Sequence, residues 1–258
     1  MRWKNKGQDS HRQYDVEAMQ QAQSRRRKRW FFGLMLLLAV LLTASYLMQG
    51  RHYLLVSMLV LLAVIGGFIW NFEWKRPRAR EVVLLALMTA FCVSMNELCA
   101  HTIPLHAGTA VVVLAGAGLG PQAGFLVGAL SRLLCNFFDG QGPWTPWQMV
   151  TWGLLGFLAG CLFHRKKRKA GIAWLVIYTF LSVFLLYGGV MNFAAMLLAH
   201  QSDPAGSAVS KEALLGFYMT GIPYDLSHAA TASFCMLLSG DRLLQKLERI
   251  QIKFGMRL

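Results

Sequence analysis

Apolar runs of about 20 residues recur along this chain, separated by short polar stretches rich in arginine and lysine. That alternation leaves few solutions other than helices in a bilayer. A helix needs about 20 mostly apolar residues, at about 1.5 Å each, to cross roughly 30 Å of hydrocarbon. Hydrophobic residues make up 55% of the 258 and charged residues only 15%, a balance that requires lipid to solvate most of the chain. The expected class is an all-α integral membrane protein of about eight transmembrane helices. The net charge of +14 does not indicate nucleic acid, because the basic residues cluster between apolar runs, where the positive-inside rule places them.

Four regions follow from this pattern. Residues 1–29 form a polar tail ending in Arg25-Arg26-Arg27-Lys28-Arg29, a block suited to a membrane surface. Residues 30–79 hold two apolar runs, Trp30 to Gln49 and His52 to Phe72, joined only by Gly50 and Arg51 as a hairpin, and a basic linker in which Pro77 prevents one continuous helix. Residues 80–240 contain six helical segments, about 81–98, 107–119, 122–138, 146–163, 172–198 and 212–239. The second is short for a full span and reads either as a crossing or as part of a re-entrant hairpin. Residues 241–258 place Leu243, Leu244, Leu247 and Ile250 at helical spacing among basic residues, which reads either as an interfacial helix or as a solvated anchor.

The basic clusters at 75–80, 164–169 and 242–257 fall on one side of the membrane, and the loops 99–106, 139–145 and 199–211, with Lys211 alone, on the other. Both termini are therefore expected in the cytoplasm. Nothing near the amino end reads as a cleavable signal peptide, so the first apolar run is expected to stay.

Few residues carry chemistry. No Gly-x-Ser-x-Gly, His-Glu-x-x-His or phosphate-binding Gly-x-x-x-x-Gly-Lys motif is present, so any nucleotide hydrolysis that drives transport belongs to another subunit. The five cysteines have no metal-ligand spacing and read as small buried hydrophobes. Glu97, His101 and His106 bracket one loop without a diagnostic spacing, so a polar lid or solvated loop is expected rather than a metal site, and no cofactor is expected.

Arg132 and Asp225 both fall near mid-depth, where an ionisable group needs a partner or a water-filled cavity. They read either as a buried ion pair holding two helices or as the floor of a ligand site. Asp225 and His228 share a helix face in Pro223-Tyr224-Asp225-Leu226-Ser227-His228, where Pro223 frees backbone groups and the helix either breaks to line a cavity or carries a kink whose polar groups satisfy each other. Gln141 to Gln148 reads either as an interfacial aromatic belt or as a stiffened loop whose Trp144 and Trp147 form a wall for a flat ring, with Asn136, Asp139 and Gln148 adding polar contacts. Asn192 bonds either a neighbouring helix or a ligand. Small residues recur every fourth position at Ala86 and Ala90, at Gly116 to Gly128 and at Gly156 and Gly160, a spacing that permits close helix approach.

From about Arg80 to Gly240 the chain resembles the substrate-binding S components of energy-coupling factor (ECF) transporters. The resemblance rests on Ala86-Leu87-Met88-Thr89-Ala90, the turn at Gly120 to Gly124, Gly142-Pro143-Trp144-Thr145-Pro146-Trp147-Gln148-Met149, and Pro223-Tyr224-Asp225-Leu226-x-His228. It implies a six-helix subunit of a bacterial plasma-membrane importer, with a vitamin site open to the outside. Its implied partners are a transmembrane T component, docked on the face of Ala86 and Ala90, and two cytoplasmic ATPases. The tryptophan loop is most similar to the cobalamin-type branch, which favours a large planar ligand. The hairpin of residues 30–72 is absent from the minimal six-helix unit. Two other readings remain: an intramembrane hydrolase or transferase using Asp225, His228 and Arg132, and a scaffold or solo carrier without a T component.

Overall fold

The computed structural model describes residues 52–75, 79–102, 106–164, 171–203 and 209–255, with separate positions between 33 and 47. The basic tail and most of the first hairpin run lie outside the described residues. The chain divides into two compact units, Met1–Ala44 and Ser45–Leu258. Described positions of the first, such as Gly33, Leu36 and Val40, are helical.

The second unit contains α1 (Tyr53–Lys75), α2 (Ala79–Thr102), α3 (Ala107–Leu119), α4 (Pro121–Asp139), α5 (Thr145–Phe163), α6 (Ile172–Ser202) and α7 (Lys211–Lys253). Every described element is helical. By length and composition α2, α5 and α6 are able to cross a membrane, and the protein is membrane-embedded.

Helix α3 is the centre of the bundle. It is apolar on every side, as an enclosed helix must be, and all 13 of its residues are buried. Its neighbours are α2, α4, α5 and α7, with a smaller contact to α6. At about 20 Å it is shorter than the hydrocarbon is thick, because protein rather than lipid surrounds it. Gly116 of α3, Gly124 of α4 and Gly156 of α5 meet backbone to backbone, and a methyl on any of them would collide with a neighbour's main chain. The glycine stripes are therefore internal packing. The α3–α4 turn is a single residue, Gly120, with φ 108° and its N–H bonded to the Gly116 carbonyl at 2.9 Å. Only glycine adopts that backbone freely, and Pro121 then starts α4 with φ already set.

Helix α6 changes winding midway, where Ser182–Tyr187 forms a π-helical turn. Helix α7 is one continuous 43-residue helix with Pro223 inside it, which decides two open readings. Pro223 does not break the helix; α7 runs on through it and packs on α3 and α6. The carboxyl-terminal stretch is also not a separate interfacial helix. It continues α7 and folds onto α3, with Leu247 buried against Gly118 and the Gln251 Nε2 donating to the Gly118 carbonyl at 3.0 Å. That bond satisfies one of the carbonyls that a helix carboxyl terminus leaves open.

Candidate functional site

The connections α2–α3, α4–α5 and α6–α7 all lie at one end of the bundle, because successive helices alternate in direction. At that end α3, with 13 residues, falls six short of α4 and α5, each with 19. The shortfall leaves about 9 Å of depth unfilled by α3. Two groups of side chains face this space.

The first is a patch of rings. His106, in the α2–α3 connection, lies with its ring centroid 4.2 Å from that of His228 and 5.6 Å from that of Tyr224 on α7. Tyr187, at the end of the π turn, sets its ring edge-on to His228 at 4.9 Å. The His106 N–H donates to the Thr231 hydroxyl at 3.3 Å, and Thr109 Oγ1 shares a 2.9 Å hydrogen bond with His228 Nε2. His228 is only 2% exposed, and its Nδ1 is buried without a hydrogen-bond partner among the described residues. Tyr224, more than half exposed, stands at the edge of the patch. Burial and the nearby Arg132 charge hold the His106 imidazole below its ordinary pKa, so it is neutral at pH 7.

The second group centres on Arg132 of α4. Its Nε donates to Gln148 Oε1 at 3.1 Å, its Nη2 pairs with Asp139 at 3.2 Å, and the guanidinium lies over Trp152, 5.4 Å from the ring centroid. Asn136 Nδ2 donates to the same Gln148 oxygen at 2.8 Å and to the Thr145 hydroxyl at 3.0 Å. Thr145 in turn accepts from the Gly142 N–H and donates to Gln141. A polar network thus ties the α4–α5 loop to the end of α4. The Arg132 charge reaches His106 in the α2–α3 connection. The two groups are therefore neighbours at the end of the bundle where α3 stops short.

Arg132 and Asp225 are not partners. Asp225 faces α6, where Asn192 Nδ2 donates to its Oδ2 at 2.7 Å, and Gly188 and Gly221 clear room for this pair. His228, three residues on, turns toward α3 instead. The two loop tryptophans do not share a wall. Trp144 is 37% exposed, whereas Trp147 is fully buried, its ring stacked on Tyr53 and its N–H donating to Ser57 of α1. Among the described residues no three His, Cys, Asp or Glu side chains converge on a metal-sized space, and the His101 side chain lies outside them. Ala86 and Ala90 are exposed on α2 beside Val83 and Leu87.

Tyr187, Thr109 and Thr231 were not singled out from sequence. Tyr187 sits in a long apolar run, and only its polar tip in such a run marked it; the π turn that aims it leaves no sequence pattern of its own.

A model of the family described as "ECF-type riboflavin transporter, S component" matches residues 77–231. Comparison with curated proteins and with solved structures gives no match. The matched stretch starts just before α2 and ends three residues beyond His228, so it contains both groups of side chains and leaves α1 outside. This family consists of transporter binding subunits, which removes the intramembrane hydrolase or transferase built on Asp225, His228 and Arg132. Six helices, one of them short and enclosed by the others, polar side chains gathered at one end and a match over more than half of the length agree: the chain belongs to the ECF-type riboflavin transporter S component family, and is a substrate-specific, membrane-bound subunit of a vitamin transporter.

Proposed function

We propose that the two groups line a chamber at this end of the bundle, which captures a vitamin with a flat heteroaromatic ring that lies against the patch of His106, Tyr187, Tyr224 and His228 while Arg132, Gln148 and Asn136 read its polar edge. The observation that carries this reading is the orphaned Nδ1 of His228. A buried polar atom without a partner costs roughly 1–3 kcal/mol, and a ligand that bonds to it recovers that cost on binding. Each ring stacked on the ligand adds about 0.5–1.5 kcal/mol. Riboflavin, from the family's description, presents such a ring in its isoalloxazine, and a cobalamin-type corrinoid, whose corrin macrocycle is not aromatic, presents one only in its nucleotide base.

The chamber end faces the outside, because its loops are nearly free of lysine and arginine, and both termini face the cytoplasm of a bacterial cell. Having no nucleotide-binding loop, the subunit works with a transmembrane T component and two cytoplasmic ATPases. The exposed small-residue face of Ala86 and Ala90 on α2 is the docking surface for the T component.

The test is mass spectrometry of small molecules that copurify with the detergent-solubilised protein, followed by titration with riboflavin and with cyanocobalamin. A stoichiometric flavin or corrinoid supports the reading and separates the two. A protein that binds neither, and retains no other heteroaromatic vitamin, overturns the ligand class.

A further inference from the structure

Helix α1 lies outside the family-matched residues, yet one of its faces is withdrawn from the surroundings: Tyr53, Val56, Ser57 and Val60 are all buried. It covers the start of α5. The Trp147 indole N–H donates to Ser57 Oγ at 2.9 Å, and the same hydroxyl donates to the Pro143 carbonyl at 3.1 Å. A serine hydroxyl has one hydrogen and two lone pairs, so it accepts from the indole and donates to the loop at once. Tyr53 stacks on the Trp147 ring with centroids 6.2 Å apart. From Leu54 to Val64, Ser57 is the one polar residue, and a helix packed only against lipid has no use for a hydroxyl there.

What Ser57 grips is the loop that shapes the chamber. Pro143 lies within that loop, and Trp147 directly precedes Gln148, whose Oε1 holds both Arg132 and Asn136. We propose that α1 is an added strap: Ser57 clasps Trp147 and Pro143, which fixes Gln148 and so the Arg132 guanidinium at the mouth of the chamber and slows vitamin release. Ser57 and Tyr53 are positioning residues, acting through Trp147. The role in release rests on the chamber being the vitamin site; the clasp itself does not.

Hydrogen–deuterium exchange on the full-length, unliganded protein in detergent tests the clasp. Ser57→Ala is expected to speed exchange of the amides in 141–150 about tenfold, about 1.4 kcal/mol, with the interior of α3 unchanged and with Ser57→Thr restoring slow exchange. Equal exchange in wild type and Ser57→Ala overturns the clasp. Release of radiolabelled riboflavin tests the consequence: about tenfold faster dissociation in Ser57→Ala, an association rate within about twofold, and recovery in Ser57→Thr. Faster exchange with unchanged release overturns the role at the mouth. A wild-type protein that binds no riboflavin removes the flavin reading, and the exchange result then decides the clasp alone.

Discussion

Asn192 and Asp225 bind α6 to α7 through a 2.7 Å hydrogen bond set between two glycines, Gly188 and Gly221, which lets the two helices close over the pair. Tyr218 adds a second tie, its hydroxyl donating to the Gly189 carbonyl at 2.8 Å. Asp225→Ala leaves the Asn192 amide without its acceptor, which costs about 1–3 kcal/mol. The expected thermal midpoint in detergent falls by about 3–10 °C. Vitamin affinity, measured well below that midpoint, changes less than about threefold. A large affinity loss at unchanged stability would move Asp225 from the helix contact into the site.

His228 supplies the opposite case. His228→Phe keeps a ring of similar shape and removes both nitrogens, so the orphaned Nδ1 disappears while stacking survives. Vitamin binding, followed by isothermal titration well below the thermal midpoint, is expected to weaken by about ten- to hundredfold, and stability is expected to fall by about 1–3 kcal/mol because Thr109 loses its His228 Nε2 partner. Wild-type affinity in this variant would exclude His228 from ligand contact.

His106 gives the pH dependence its sign. Its folded pKa lies below the ordinary 6.5 because burial and the Arg132 charge disfavour the cation, so the unfolded chain takes up the proton first. The associated stability is fully present above about pH 6.5 and is lost as pH falls through the lower folded value. Unfolding followed from pH 8 down to pH 5 is expected to show a plateau and then an acid decline, and His106→Phe is expected to make that decline shallower. An unchanged profile would mean that His106 contributes nothing to it.

The docking face is tested by bulk. Ala86→Trp combined with Ala90→Trp places two large rings on an exposed strip of α2 without entering the core. Copurification with the T component is expected to be lost while vitamin binding persists. Retained complex formation would move the docking surface elsewhere.

The helices were legible because lipid imposes a length and a sidedness on a chain, and Gly120-Pro121 marks a boundary that propensity alone places. The enclosure of α3 was also foreshadowed by its composition, which offers water no polar face. Orientation around an axis was not. Counting residues puts Arg132 and Asp225 at similar depth, but depth says nothing about azimuth, and the two side chains face different helices. Periodicity likewise gave Leu247 an apolar neighbour without saying whether that neighbour is lipid or α3. Trp147 looked like a ligand wall because the helix that buries it lies 90 residues earlier in the chain, beyond the reach of any local pattern.

The long α7 has a mechanical consequence. It is fastened to α3 near the chamber, through Thr109 with His228 and the His106 N–H with Thr231, and again at the far end, where Gln251 holds the Gly118 carbonyl. Two rods joined at both ends make a rigid frame, so α3 and α7 cannot part to admit a ligand. Any widening of the chamber has to come from the opposite wall, from α4, α5 and the loop between them, which is the wall that α1 straps down.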